Sequence, residues 1–327
     1  MVTNELKSDF NKTIKLPKVL IVDDVHPVLI DGLTEKGFSV LYIPESSRNQ
    51  IIEKLKEGFE ILVIRTKTMV DKEMLQSAQN LQIIARAGAG LDNIDEEEAQ
   101  KLGILCINAG EANSDAVGDH TLAMLLGGLN NLYQAQTEVR NKIWLREENR
   151  GVELAGKTAA IIGYGNTGKA VAKRLVAFGV KVLAYDKYLN GFSNEQIFEA
   201  SMNEIFENAD ILSLHIPLTS ETNGMVDLQF LQKFKKPIFF LNLSRGKIVN
   251  TIELIQAIKT GIVWKCALDV LENEKFDTFN AAQKKDFEFL SNSSKVSLSP
   301  HIGGWTVESY KKISTVLLLK LLDIHGQ

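Results

Sequence analysis

Residues 158–186 read TAAIIGYGNTGKAVAKRLVAFGVKVLAYD, and the reading of this stretch decides the fold. An apolar run leads into Gly163-x-Gly165-x-x-Gly168, a helical segment follows, and a second apolar run ends in Asp186. Three glycines at this spacing are a weak signal alone. Between a strand and a helix, with an acid about 20 residues on, they complete the pattern of a dinucleotide-binding βαβ unit. Gly163 permits the tight turn, Gly165 lets the backbone approach a pyrophosphate, and Gly168 lets helix and strand pack closely. The amides opening the helix, those of Asn166 and Thr167 included, are placed to meet phosphate charge. Asp186 suits the ribose hydroxyls and repels a 2′-phosphate, so NAD is expected over NADP, with Lys187 as the one opposing feature.

The same alternation extends outward in both directions. KVLIVDD (18–24), FSVLYIP (38–44), EILVIRT (60–66), LQIIARAG (81–88) and ILCIN (104–108) are strand-like and separated by helical stretches. After a long helical stretch from about Asp115 to Trp144, expected to be a hinge, strands return at 157–165, 180–186, 209–217, 237–244, 264–270 and 295–300. Continuous apolar strands between amphipathic helices imply parallel sheets covered on both faces. The expected fold class is therefore α/β, two Rossmann-like doubly wound parallel-sheet domains, with ESYKKISTVLLLKLLD (308–323) returning as a helix to the first.

Composition agrees and excludes other classes. A chain of 327 residues, 45% hydrophobic, suits about two globular domains. Its net charge of -4 is spread along the chain and argues against a nucleic-acid partner. Cys106 and Cys266 lie in apolar runs and are expected to be buried thiols, with no disulfide and no metal. No stretch is apolar enough for a membrane span, and the polar N-terminus, residues 1–17, is expected to be a partly flexible leader of a cytoplasmic protein.

Three strand ends in the second half carry reactive side chains. Arg245 follows IFFLNLS, Asp269, Glu272 and Glu274 follow KCAL, and His301, in SPHIGGWT, follows KVSLS. Ligands of open parallel sheets sit beyond the carboxyl ends of the strands. These segments, together with ARAGAGLDNID (85–95) and GYGNTG with Asp186, resemble the D-isomer-specific 2-hydroxyacid dehydrogenases, from about Glu60 to Ser309. The resemblance implies a substrate domain of residues 1–116 and 303–327, an NAD-binding domain of 117–302, and a homodimer. It also implies a catalytic trio of Arg245, Glu274 and His301. Further cofactor contacts are implied at His215, Ile216 and Pro217, at Leu243, Ser244 and Arg245, at Asp269, and around His301 at Gly303 and Gly304. Ala89 and Gly90 are implied to bind the substrate carboxylate.

The chemistry gives each residue a reason. Oxidising a 2-hydroxy acid requires a base for the hydroxyl proton, and imidazole titrates near neutrality. A carboxylate beside it, Glu274, fixes the ring and favours its protonated form. A guanidinium, Arg245, grips a carboxylate through paired donors. Arg65 and Arg86 close two strands expected to end on one side, and two guanidinium forks suit a phosphate. Within the family that the chain resembles, the leading expected substrate is 3-phosphoglycerate, oxidised to 3-phosphohydroxypyruvate in the first step of serine synthesis. A glyoxylate or hydroxypyruvate reductase is the runner-up, and an NAD(H)-sensing corepressor-like protein is the alternative of another class. No serine-binding regulatory domain is expected.

Two departures from the family stand out. Lys275 follows the glutamate where relatives often have proline, and the connection from there to His301 is long. Gly118 and Asp119 replace an Ala-Glu pair, with little expected effect. Among other histidines, His120 is expected to be a satisfied packing residue, His26 a loop residue and His325 solvated.

Overall fold

The computed structural model describes residues 16–327; most of the segment expected to be a leader, residues 1–15, lies outside them. The chain divides into two compact units, Met1–Gly110 with Tyr310–Gln327, and Glu111–Ser309.

The first unit is a parallel sheet of β1 (Lys18–Ile21), β2 (Ser39–Tyr42), β3 (Ile61–Ile64), β4 (Ile83–Arg86) and β5 (Leu105–Asn108), in the order β2-β1-β3-β4-β5. β1 and β3, with neighbours on both sides, are almost wholly buried, which explains their unbroken apolar sequence. The intervening helices start on side-chain caps: Ser47 forms a capping box with Gln50, and Asp71 and Asp95 cap the helices that follow them. His26 is also a cap, its Nδ1 accepting the Val28 N–H at 3.1 Å ahead of Pro27. Residues of the last helix, Val307–Ile324, complete this unit. Leu317 and Leu321 are fully buried, Leu318 lies where a Cβ on Gly32 would be, and Ser314 accepts the N–H of His26. His325 is half-buried rather than solvated, because its ring packs edge-on against Phe38 and reaches the Leu321 carbonyl. Cys106 is only half-buried because β5 is an edge strand, whereas Cys266 is buried; both thiols are free.

The second unit is a parallel sheet of β6 (Thr158–Ile162), β7 (Lys181–Tyr185), β8 (Ile197–Glu199), β9 (Ile211–Leu214), β10 (Ile238–Asn242), β11 (Val263–Leu268) and β12 (Val296–Leu298). Its order, β12-β11-β10-β9-β6-β7-β8, reverses direction between β6 and β9. Each face carries its own core. Successive residues of β10 alternate between them, Phe239 packing with Leu125, Val171 and Leu175 and Phe240 with Leu254, Ile258 and Leu290. The expected hinge at 115–144 is two helices, Ser114–Leu129 and Leu132–Arg140, broken at Asn131 with φ 54°. The first is part of the second unit and packs on the helix Asn166–Ala177.

The loops after β10 and β11 lie back to back. A Cβ on Gly246 would stand 1.9 Å from the carbonyl oxygen of Leu271, and backbone cannot swing aside as a side chain can. Gly246→Ala is therefore expected to cost about 1–3 kcal/mol in overpacking strain. Urea denaturation checks this, and an unchanged midpoint would refute the close approach.

Candidate functional site

The carboxyl ends of the strands of the second unit assemble a site along one edge of its sheet. Gly163 follows β6 directly with φ 93°, and a Cβ there would lie 2.3 Å from the His215 carbonyl oxygen after β9. A Cβ on Gly168 would sit 2.0 Å from the oxygen of Gly163, so helix and turn meet at the closest spacing a backbone allows. Gly165 differs: nothing lies within 4 Å of its absent Cβ. Protein packing does not explain that glycine, whereas a ligand against the backbone does. Gly165 also stands as N-cap of Asn166–Ala177 with no capping side chain, leaving the amides that begin with Asn166 and Thr167 turned to an open face. Asp186, one residue beyond β7, accepts N–H bonds from Tyr164 (2.7 Å), Tyr188 (2.9 Å) and Leu189 (3.0 Å). Partial burial opposes its charge; the three amides and nearby Lys169 outweigh that and hold its carboxyl below the usual carboxylate range. Lys187, the opposing feature, is paired with Glu221. Cradle, open helix start and anionic acid fit the phosphate and ribose groups of a dinucleotide.

The next strand ends form a second cluster. Asp269, one residue after β11 and 2% exposed, is its centre. Its backbone oxygen accepts the His301 N–H at 2.7 Å, its Oδ1 accepts the Ile302 N–H at 2.9 Å, and its Oδ2 accepts the Gly303 N–H at 2.8 Å. The Ser299 hydroxyl donates to Oδ1 at 2.6 Å, and His120 Nε2 lies 3.0 Å from that hydroxyl and 3.4 Å from Oδ1. Burial opposes the charge of Asp269, but the donors of His120, Ser299, Ile302 and Gly303 prevail and keep its carboxyl low. This clamp holds His301 at φ 55°, a left-handed conformation that few non-glycine residues adopt. The imidazole is thereby turned outward, half-exposed, with Nδ1 3.0 Å from the Glu274 carboxylate.

Arg245, three residues after β10, is half-buried, and its Nη1 donates to the Ser244 carbonyl at 2.7 Å. Its neighbours serve the frame: the buried Ser244 hydroxyl donates to the Leu214 carbonyl at 2.6 Å, and Leu243 packs beneath Gly303. Ile216 and Pro217 follow His215 beyond β9. Glu272 does not contact His301; it accepts the Thr251 N–H at 2.9 Å. Sequence reasoning missed Asn113, whose amide lies where a Cβ on Gly304 would be and whose Oδ1 is buried without a hydrogen-bond partner. It also missed the part Ser299 and His120 play beneath the histidine loop. No periodicity or spacing marks such residues.

Arg65 and Arg86 belong to the first unit, at the ends of the adjacent strands β3 and β4. Buried Asp23 ties the turn after β3, accepting the Arg65 and Thr68 amides. The Arg65 guanidinium lies 3.7 Å from Asp24 and 5.8 Å from the ring of Tyr310, and burial lowers its pKa. Arg86 reaches over Gly88, its Nη1 1.6 Å from where a Cβ would be, which places the guanidinium beside the Ala89–Gly90 loop. Asn108 braces that loop by donating to the Ala89 carbonyl at 2.6 Å.

Comparison with known proteins identifies the family of this chain. Residues 122–303 match the family model of the D-isomer specific 2-hydroxyacid dehydrogenase, NAD binding domain. D-3-phosphoglycerate dehydrogenase of Archaeoglobus fulgidus is 34% identical over 309 residues, covering 94% of this chain and 57% of that protein. The chain thus spans a little over half the length of the phosphoglycerate dehydrogenases it matches, 57% and 55% in two of them. Hydroxypyruvate reductase of Thermotoga maritima is 32% identical over 84% of this chain and 87% of its own. Among solved structures, D-lactate dehydrogenase from Aquifex aeolicus, complexed with NAD and lactic acid, has a TM-score of 0.82 at 25% identity, covering 94% of this chain and 96% of that one.

One electrostatic feature of the cradle is testable apart from any ligand. Burial pushes the His215 imidazole down from 6.5 to about 4, and Ser213 Oγ lies 2.8 Å from its Nε2. Between those values only the unfolded chain takes up this proton, so stability falls as pH drops from about 6.5 to about 4, by at most about 3 kcal/mol. His215→Gln, which retains a polar partner for Ser213, is expected to flatten that part of the stability curve. Denaturant melts at pH 7, 5.5 and 4 measure it, and an equal acid loss in both proteins would contradict the assignment.

Proposed function

The chain belongs to the D-isomer-specific 2-hydroxyacid dehydrogenases, and we propose that it oxidises 3-phosphoglycerate, or reduces its 2-keto form, with NAD(H). The observation that carries the reading is the His301–Glu274 pair, at the edge of the sheet that also carries the Gly163–Gly168 cradle. A histidine held in a left-handed turn against a carboxylate favours turnover over dinucleotide sensing alone.

Gly163, Gly165, Asn166, Thr167 and Gly168 would hold the pyrophosphate and Asp186 the ribose. His215, Ile216, Pro217, Leu243, Ser244, Gly303 and Gly304 would complete the cofactor surface, and Asp269 would act there through the loop it clamps. Bound NAD supplies the hydride chemistry. His301 accepts the proton of the C2 hydroxyl during oxidation and returns it to the carbonyl oxygen during reduction. Glu274 orients the ring and favours the imidazolium. Arg245 grips the substrate carboxylate and polarises the carbonyl, with the Ala89–Gly90 amides as further donors.

Arg86 and Arg65 would read the phosphate. Asp24, 3.7 Å from the Arg65 guanidinium, orients it as an ion-pair partner. Relatives named D-3-phosphoglycerate dehydrogenase support this substrate. The hydroxypyruvate reductase of similar length, matched over 87% of its own chain, supports a second reading as a reductase of that unphosphorylated acid. We place the protein in the cytoplasm; among the described residues no helix is long and apolar enough to cross a membrane. We also propose a homodimer, seated on an apolar surface formed by Leu132, Tyr133, Val139, Ile143 and Trp144, the last 81% exposed.

NADH absorbance with a panel of 2-keto acids tests the reading. Phosphohydroxypyruvate should be reduced far better than hydroxypyruvate or glyoxylate, and NADH used in preference to NADPH. Arg86→Ala and Arg65→Ala should each erode the phosphate preference by about 1.5–3 kcal/mol. His301→Ala should lower turnover by on the order of 10²–10⁴-fold while NADH still binds. Equal rates on hydroxypyruvate would favour the second reading, and near-normal turnover without His301 would remove the mechanism.

Light scattering should give twice the 36.4 kDa chain mass, and Trp144→Glu should shift it toward the monomer. A monomeric unmodified protein would disprove the dimer.

A further inference from the structure

Burial does not hold the acid–base pair together. The side chains of Glu274 and His301 are 44% and 43% exposed. The histidine has the Asp269 clamp behind it, so the question is what fixes the glutamate. It lies between β11 and the helix Ala281–Asn292, in a segment exposed from Glu274 through Thr278. Lys275 stands where the family often has proline, so no ring restricts the backbone there.

The neighbouring side chains supply the restriction. Asn273 Oδ1 accepts the Lys275 N–H at 3.0 Å, closing a turn around the backbone of Glu274. Its Nδ2 donates to Thr278 Oγ1 at 2.9 Å, and that hydroxyl donates to the Lys275 carbonyl at 2.7 Å. The Thr278 N–H donates to the same carbonyl at 3.0 Å. One asparagine thus reaches both ends of the turn following Glu274. The turn is anchored in its turn by an aromatic cluster, Phe276 lying 4.8 Å from Phe287 and 5.3 Å from Phe279 between ring centres, with Phe287 on the following helix. On the other flank, Glu272 fastens the chain to the Thr251 amide. Exposed hydrogen bonds are individually weak, but three that share one side chain and one turn act together.

We infer that Asn273 is a positioning residue for the proposed reaction, bracketing Glu274 so that its carboxylate stays aimed at His301. The device excludes the one it replaces. Proline at 275 would lack the N–H that Asn273 accepts, and Lys275 has φ -104°, outside the range near -65° that proline requires. The inference rests on the reading of Glu274 and His301 as the acid–base pair.

The test is a double-mutant cycle on the full chain, with kcat, KM and NADH affinity by fluorescence measured for each protein. Asn273→Ala should lower kcat by roughly tenfold, the scale expected when a reacting group loses its alignment, with KM and NADH affinity within about twofold. Asn273→Asp retains the acceptor for Lys275 and should restore most of kcat. In a Glu274→Gln background, Asn273→Ala should have no further effect on kcat, because the group it positions is already disabled. An unchanged kcat in Asn273→Ala, or an equal loss in both backgrounds, would overturn the positioning role while leaving the acid–base pair intact. Full turnover by Glu274→Gln alone would overturn the pair and the inference with it.

Discussion

The candidate site depends on one buried carboxylate. Asp269 is placed by the last hydrogen-bonded residue of β11 and is nearly sealed from solvent, where an unpaired charge costs several kcal/mol. It is tolerated because donors from three sources converge on it: amides of the His301 loop, the Ser299 hydroxyl and the His120 ring. The same bonds pull the loop into the left-handed backbone at His301, a conformation costing on the order of 1 kcal/mol that local preference would not select. Strain at the reactive residue is thus supported by electrostatics beneath it. Gly303, above the carboxylate, has to be small for the loop to come so close.

Parallel topology gathers the remaining groups. Every strand of the second unit runs the same way, so residues just beyond β6, β7, β9, β10, β11 and β12 appear along one edge without any further device. Gly163, Asp186, His215, Arg245, Asp269 and His301 are separated by up to 138 positions in the chain, yet each stands within three residues of a strand end. The reversal between β6 and β9 parts the helices there, and it coincides with the glycine that protein packing leaves open.

Much of this was legible in the sequence, for identifiable reasons. The twofold alternation of buried strands, the glycine spacing and the reactive residues at strand ends are local patterns, and both sheets follow from them. The glycines of the cradle proved to be of two kinds, which sequence cannot separate: Gly163 and Gly168 answer to neighbouring backbone, Gly165 to open space. The stretch 115–144 appeared to be one helix because apolar periodicity continues across Asn130 and Asn131, and only the positive φ of Asn131 reveals the break. His120 was legible as a satisfied residue but not as part of the Asp269 network, since its partners are 149 and 179 positions away. Asn113 and Asn273 carried no sequence signal, because a single amide acquires meaning only from what it touches.

The discontinuity of the first unit has a consequence for how the molecule forms. Its sheet lies within residues 18–108, but the helix that covers part of it arrives only after the whole second unit. His26 meets Ser314 across 288 positions, and Tyr310 meets Asp24 across 286. Contacts of such separation are slow to form, since closing the intervening chain costs entropy before any contact rewards it. During synthesis, β1 to β5 wait with one flank uncovered while the contiguous second unit can complete itself. The surface around Gly32, which Leu318 fills, is therefore a transient of the nascent chain, sealed last, and the moment of greatest exposure to aggregation belongs to the half of the molecule made first.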